Sequence, residues 1–369
     1  MVAVSYGLAR YGYGLLLPDI RASFDLSTRL LGIIGTGSYA AYLAATAAAV
    51  PLAMRRGPRF PVVLGGGVAA TGMLLAGLSD NALLLAGAVL VAGASSGLVF
   101  PPFSDLVGTL LRPAARGRAL AAVSSGTGYG VAVAVPVALI VGREWRTAWL
   151  VFAALAALAT LWAARALPGG RRVDASRSRS RLRAGWFFGG RSRSLLAGSP
   201  VVGVGSSVYW TFAVDYVVGA GSLSSNAARL LLAVVGLASV GGILAGELVR
   251  RVDPRNAFFA VSFALAIAFW LLSLAPSALF AVLLSAALFG VAYNLVVAIQ
   301  VIWSAQVFAD RPSAGLSAVM FAMGLGLLVG PAGAGALAQE IGLTNVFLVG
   351  GGVVASAVLF APREALVPG

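Results

Sequence analysis

The chain has 369 residues, of which 60% are hydrophobic and only 10% charged. A soluble domain carries about 25% charged residues, so this composition cannot clothe a water-facing surface, and the bilayer is its expected solvent. Its 26 basic residues are all Arg, and Lys, His and Cys are absent. These absences exclude ordinary zinc sites, disulfides, Ser-His and Cys-His nucleophile pairs, a Walker P-loop and Schiff-base chemistry. The expectation is no enzyme, with no catalytic residue, metal or cofactor. The net charge of +14 sits in short loops between apolar runs. That placement orients a membrane protein and argues against nucleic-acid binding.

Twelve apolar segments follow in chain order, each near the length of about 20 residues that a spanning helix needs. They cover 2–18, 30–53, 61–78, 82–106, 119–141, 147–166, 197–218, 227–249, 257–275, 278–303, 314–337 and 346–361. The joints Ser79-Asp80-Asn81 and Pro276-Ser277 are short enough to predict tight hairpins. The first run lacks a basic start and ends in Pro18-Asp19-Ile20-Arg21, which is not the pattern of a cleaved signal peptide. With Met1 on the cytoplasmic side, 20 arginines collect there, 5 collect on the opposite side, and Arg10 lies inside the first span. This asymmetry predicts cytoplasmic termini in an inner-membrane protein.

A single offset of 196 residues relates the two halves. It carries Gly7, Tyr13 and Asp19 onto Gly203, Tyr209 and Asp215, and Gly128 and Gly130 onto Gly324 and Gly326. The Arg-rich turns at Arg55–Arg59 and Arg251–Arg255 correspond in the same way. Parallel repeats in a membrane protein suggest a transporter of two homologous bundles. The expected organisation is a six-helix bundle over 1–166, a basic linker over 167–196, and a second six-helix bundle over 197–369. The linker is rich in Arg, Ser and Gly, with Trp186-Phe187-Phe188 inside it. It reads as a flexible connection that touches anionic headgroups.

Twelve spans, the division into six and six, the basic central loop and the two Arg-Pro-Arg turns together resemble the major facilitator superfamily. The family's loop motif between spans 2 and 3 is Gly-x-x-x-Asp-Arg-x-Gly-Arg-Arg. Arg55, Gly57 and Arg59 match it, whereas Met54 replaces the Asp and Val50 the leading Gly. Trp145-Arg146 before span 6 is typical of bacterial members. The opening Ala9-Arg10-Tyr11-Gly12-Tyr13 resembles a bacterial permease subfamily with an Arg-aromatic-x-Tyr first helix. Gly93-Ala94-Ser95-Ser96-Gly97 lacks the span-4 Arg that the family links to proton coupling. The resemblance implies an all-α membrane protein working by alternating access, with drug/proton antiport a weaker alternative.

Arg10 is the chief candidate for substrate binding. Ten residues into a helix it lies about 13 Å deep, near the middle of a core of about 30 Å. Such a charge should face a cavity or an acidic partner; the bland alternative is snorkelling to the headgroups. Tyr6, Tyr13 and Leu17 share its face if the helix is regular. Tyr129, Tyr209, Trp210, Tyr293 and Asn294 fall near mid-span and could add stacking and hydrogen bonds, although each alone is more often packing. A cavity holding one Arg favours an anionic or carboxylate-bearing small molecule. A proton is the candidate coupling ion, membrane lipids are the other expected partners, and the protein is expected to be a monomer. Arg55, Arg59, Arg251 and Arg255 are expected to gate the cytoplasmic side with Asp105, Glu247 and Asp310. The rival readings are a transporter-like sensor or scaffold and a membrane-embedded enzyme.

Overall fold

The computed structural model describes residues 1–110, 112–167, 190–239, 241, 248, 251, 252, 254–308 and 312–362. Contacts divide the chain into two compact units, Met1–Ser180 and Arg181–Gly369. All regular elements among the described residues are helical. In the first unit a π-helical stretch, Ala3–Arg10, leads into α1 (Gly12–Phe24), followed by α2 (Thr28–Arg56), α3 (Arg59–Gly77), α4 (Ala82–Leu110), α5 (Pro113–Val141) and α6 (Trp145–Ala166). The second unit holds α7 (Gly190–Gly219), α8 (Ser225–Ala238), α9 (Pro254–Leu274), α10 (Leu279–Val307) and α11 (Pro312–Ser356), which ends in a 3₁₀ turn at Ala357–Phe360.

Among the described residues, eight helices are long and apolar enough to cross a membrane. Predicted spans 11 and 12 both lie in α11, which breaks at Gly342 (φ 77°, ψ 157°). Only Gly adopts that conformation without strain, so a single residue separates two arms. The first span also runs beyond its predicted end: Pro18 sits inside α1, which continues to Phe24. Most of the predicted linker falls outside the described residues.

Helix ends follow the local sequence. Ser27 caps α2 by accepting from the Leu30 amide at 3.3 Å, and Ser224 caps α8 by accepting from the Ala227 amide at 3.2 Å. Asn81 accepts from the Leu84 amide at 2.9 Å and starts α4 after the short joint. Gly57 ends α2 at φ 81°, which explains the Gly in the loop motif. Trp145 donates to Ser23 Oγ at 2.7 Å, while Arg146 Nε donates to the Ser79 carbonyl at 3.0 Å. The Trp-Arg pair thereby ties the end of α1 and the α3–α4 joint to the start of α6.

The two units repeat one packing scheme. In the first, the π stretch packs on α5, α2 on α4, and α3 on both α4 and α6. In the second, α7 packs on α11, α8 on α10, and α9 on both α10 and α11. The two arms of α11 divide the work. Gly326 and Gly330 lie against Pro200 and Ser207 of α7. Thr344 and Leu348 accept hydrogen bonds from Ser273 and Trp270 of α9.

The closest approaches correspond under the same offset. A Cβ at Gly7 would stand 2.3 Å from the Gly130 Cα, and one at Gly203 would stand 2.2 Å from the Met323 carbonyl oxygen and 3.1 Å from the Gly326 Cα. Small residues let helix backbones meet in a bilayer, where packing rather than water drives association. Overpacking typically costs about 1–3 kcal/mol, while Gly→Ala at an open helical position gains about 0.5–1 kcal/mol. Gly7→Ala should therefore lower the thermal midpoint in detergent. Gly67→Ala, where nothing lies within 4 Å of the added carbon, should leave it unchanged or raise it. Equal midpoints for the two variants would contradict this packing.

Candidate functional site: an arginine caged by tyrosines

Arg10 closes the π stretch and is 8% exposed. Its guanidinium carbon lies 4.1 Å from the centre of the Tyr42 ring, 4.6 Å from Tyr39, 5.4 Å from Tyr6 and 5.9 Å from Tyr11. The ring faces attract the cation through their quadrupoles, worth about 0.5–2 kcal/mol each depending on desolvation. The expected acidic partner is replaced by aromatic rings. Among the described residues Arg10 has no ion-pair partner, and its buried Nε has no hydrogen-bond acceptor. The cage is braced from α4, where Phe100 meets Tyr6 edge-on at 5.8 Å, and Tyr6 meets Tyr42 edge-on at 6.3 Å.

The local backbone decides which side chains reach the cage. The Tyr11 amide bonds back five residues to the Tyr6 carbonyl at 3.0 Å, whereas the Leu15 amide bonds back four residues to Tyr11. The phase changes at this junction, so a regular period carried through it misplaces Tyr13. Tyr13 donates instead to the Leu31 carbonyl at 2.9 Å and secures α1 to α2. Tyr39 and Tyr42 were not anticipated as site residues. Their spacing of three places them on one face of α2, but no period in the sequence says that this face meets Arg10.

The remaining candidates occupy varied settings. Tyr129 on α5 is 62% exposed. Tyr209 is fully buried, stacks on Phe289 with ring centres 3.8 Å apart, and bonds to Ser285 Oγ at 2.8 Å. Ser285 in turn donates to the Ala268 carbonyl, so Tyr209 is bound into the packing of α7, α9 and α10. Trp210 meets Phe289 and Tyr293 edge-on at 5.7 and 6.2 Å. Asn294 donates to the Gly290 carbonyl of its own helix at 3.0 Å. Gln300, fully buried on the same helix, has neither amide atom hydrogen-bonded among the described residues.

Of the expected gate, Arg55 and Arg251 are exposed, and Arg255 lies over the Phe259 ring at 5.6 Å. Arg59 donates to the Ala164 carbonyl near the C-terminal end of α6, a favourable place for a cation beside unsatisfied carbonyls. Asp105 lies on α4 with its side chain outside what is described, and Glu247 and Asp310 lie outside the described residues.

The Tyr42 ring face holds the cation, and its hydroxyl is hydrogen-bonded to Tyr6. Tyr42→Phe should lower thermal stability by about 0.5–1.5 kcal/mol for the lost hydrogen bond, and Tyr42→Leu by about 0.5–2 kcal/mol more for the lost ring face. Unfolding monitored in detergent decides between them; a loss in the Phe variant equal to that in the Leu variant would show that the ring face is not what matters.

Comparison with known proteins agrees with this architecture. The family described as "Uncharacterised MFS-type transporter YbfB" matches residues 2–361. Human monocarboxylate transporter 11 is 29% identical over 364 residues, covering 95% of this chain and 72% of the human protein. The crystal structure of the nucleoside transporter NupG superposes with a TM-score of 0.78 at 13% identity, covering 97% of this chain and 96% of NupG. A D-xylose-proton symporter superposes with a TM-score of 0.77 at 15% identity, covering 99% of this chain and 97% of the symporter. At these identities the solved structures speak for the fold alone. The family match spans nearly every residue, and the chain belongs to the MFS-type transporters, integral membrane proteins of the major facilitator superfamily.

Proposed function

We propose that this transporter moves a small carboxylate-bearing anion by alternating access, with Arg10 as the anchor for the carboxylate. The observation that carries the reading is an asymmetry between the repeats. The 196-residue offset carries Tyr6, Arg10, Tyr11, Tyr39 and Tyr42 onto Val202, Ser206, Ser207, Val235 and Ala238. The second unit builds the same helix pairing without a charge or a tyrosine at any of these positions. The cage is therefore dispensable for folding such a bundle, and a mid-membrane cation retained without a structural need points to a ligand. The guanidinium fork suits a carboxylate, and its buried Nε awaits an acceptor. A relative named as a monocarboxylate transporter supports the same chemistry.

A charge-assisted hydrogen bond is worth about 1.5–3 kcal/mol, so removing the fork should weaken binding by about one to two orders of magnitude. Arg10→Ala should abolish saturable binding of monocarboxylates to the purified protein while leaving a folded protein. Arg10→Lys should bind more weakly, because the charge remains and the fork is lost. Ligand-induced shifts of the thermal midpoint, taken over a panel of monocarboxylates, measure both. A normal shift in Arg10→Ala would remove the anchor.

The proposal includes the orientation drawn from the arginine distribution, with termini and basic turns in the cytoplasm and a gate formed by Arg55, Arg59, Arg251 and Arg255 with Asp105, Glu247 and Asp310. Because the chain contains no Cys, Arg55→Cys and Arg251→Cys each provide a single reactive thiol. A membrane-impermeant thiol reagent should reach either one only after the cells are opened. Labelling in intact cells would reverse the orientation.

A further inference from the structure

The charge inside the first unit has no counter-charge beside it. Its described neighbours are the rings of Tyr6, Tyr11, Tyr39 and Tyr42. None of these four side chains is a carboxylate. The acids on the surrounding elements stand towards helix ends. Asp19 and Asp25 lie nine and fifteen residues beyond Arg10, Asp80 lies in the α3–α4 joint, and Glu144 precedes α6. Asp105 lies five residues beyond Phe100 on α4, on the basic-loop side. Among the described residues, then, Arg10 is a fixed cation in a neutral aromatic setting.

Building on Arg10 as the anchor, we propose that the protein is an exchanger of monoanions. A single negative charge seated on the guanidinium gives a neutral pair. Without it, closing the cage seals a net charge in an apolar bundle. The rings soften that penalty but remain neutral themselves. An uncompensated Arg at mid-membrane is disfavoured enough, on insertion scales, to slow a step by on the order of a hundredfold. The loaded carrier therefore reorients quickly, and the empty carrier is held back. One anion leaves for each anion that enters, and no proton is needed to complete the cycle. The same charge count sets selectivity. A dianion would leave the complex at minus one and a neutral acid at plus one, so both would be sealed poorly.

The test uses the full chain in proteoliposomes loaded with radiolabelled pyruvate, with acetate and lactate as parallel probes. Efflux into buffer containing unlabelled pyruvate should exceed efflux into anion-free buffer by at least tenfold, approaching on the order of a hundredfold. External succinate, a dianion near neutral pH, should not accelerate efflux, and a protonophore should leave the exchange rate unchanged. Arg10→Lys, which keeps the charge, should exchange more slowly yet preserve the ratio of exchange to net efflux. Equal rates of exchange and net efflux, or net uptake driven by an imposed proton gradient, would overturn the exchange mechanism and leave the anchor standing if Arg10→Ala still loses binding. Normal exchange in Arg10→Ala, or no transport of any of the three probes by the unaltered protein, would overturn both.

Discussion

Main-chain contact between the first and fifth spans is the constraint on which the first unit's interior depends. Gly7 and Gly130 allow two backbones to touch where any Cβ would collide, and this seats the π stretch deep in its unit. Ala3 and Gly7 face α5, while Tyr6 and Arg10 face α2 and α4. Without that seat the arginine would have a route towards the headgroups, since a long side chain near a helix end readily snorkels. Close packing on one side therefore enforces burial of charge on the other.

Aromatic rings are an unusual choice for compensating that charge, and the choice has chemical consequences. A carboxylate would neutralise the guanidinium and occupy the donors that a substrate needs. Breaking such a buried pair is typically worse than never forming it, at about 3–5 kcal/mol. Tyrosine faces hold the cation by its charge, and its buried Nε donor has no acceptor among the described residues. Edge contacts to Phe100 and between Tyr6 and Tyr42 keep the rings in place. The arrangement stabilises the charge without satisfying it.

Much of the fold was legible because a bilayer simplifies the reading. Every spanning segment must be apolar and long enough, so the run lengths located the helices, and the repeat offset relates the glycines that the structure brings together at 7–130 and 203–326. Boundaries failed where backbone geometry departed from the regular case. The predicted end at Pro18 lies inside α1, and the predicted joint 338–345, with its Gln339-Glu340 and Thr344-Asn345 pairs, is helical on both sides of the break at Gly342. At the candidate site, depth in the first span marked Arg10 as a buried charge, and it is buried, but helical phase misled: the π stretch turns Tyr13 to Leu31. Tyr39 and Tyr42 were missed because contacts between helices leave no period in a single helix. Tyr209, a mid-span candidate on the same grounds, is held by Ser285 and Phe289, contacts that its position in the sequence does not reveal.

The comparison of the two repeats separates what the scaffold needs from what one copy has added. Both copies keep the glycine contacts, the serine caps and the helix pairing, so these belong to the scaffold. In α7 the stretch corresponding to Ala3–Arg10 is regular α-helix, and Ser206, in the place of Arg10, bonds back to the Val202 carbonyl at 2.6 Å. A serine satisfies itself within its own turn; an arginine has no such option and must find partners on other helices. The π register occurs in the copy that carries the charge, and within it Arg10 is flanked on its own chain by Tyr6 and Tyr11 while Tyr39 and Tyr42 close from α2. Since π stretches are frequent at functional sites, the departure from regular helix and the buried cation are best understood as one feature: the backbone has given up its regular register in the copy where a charge had to be enclosed.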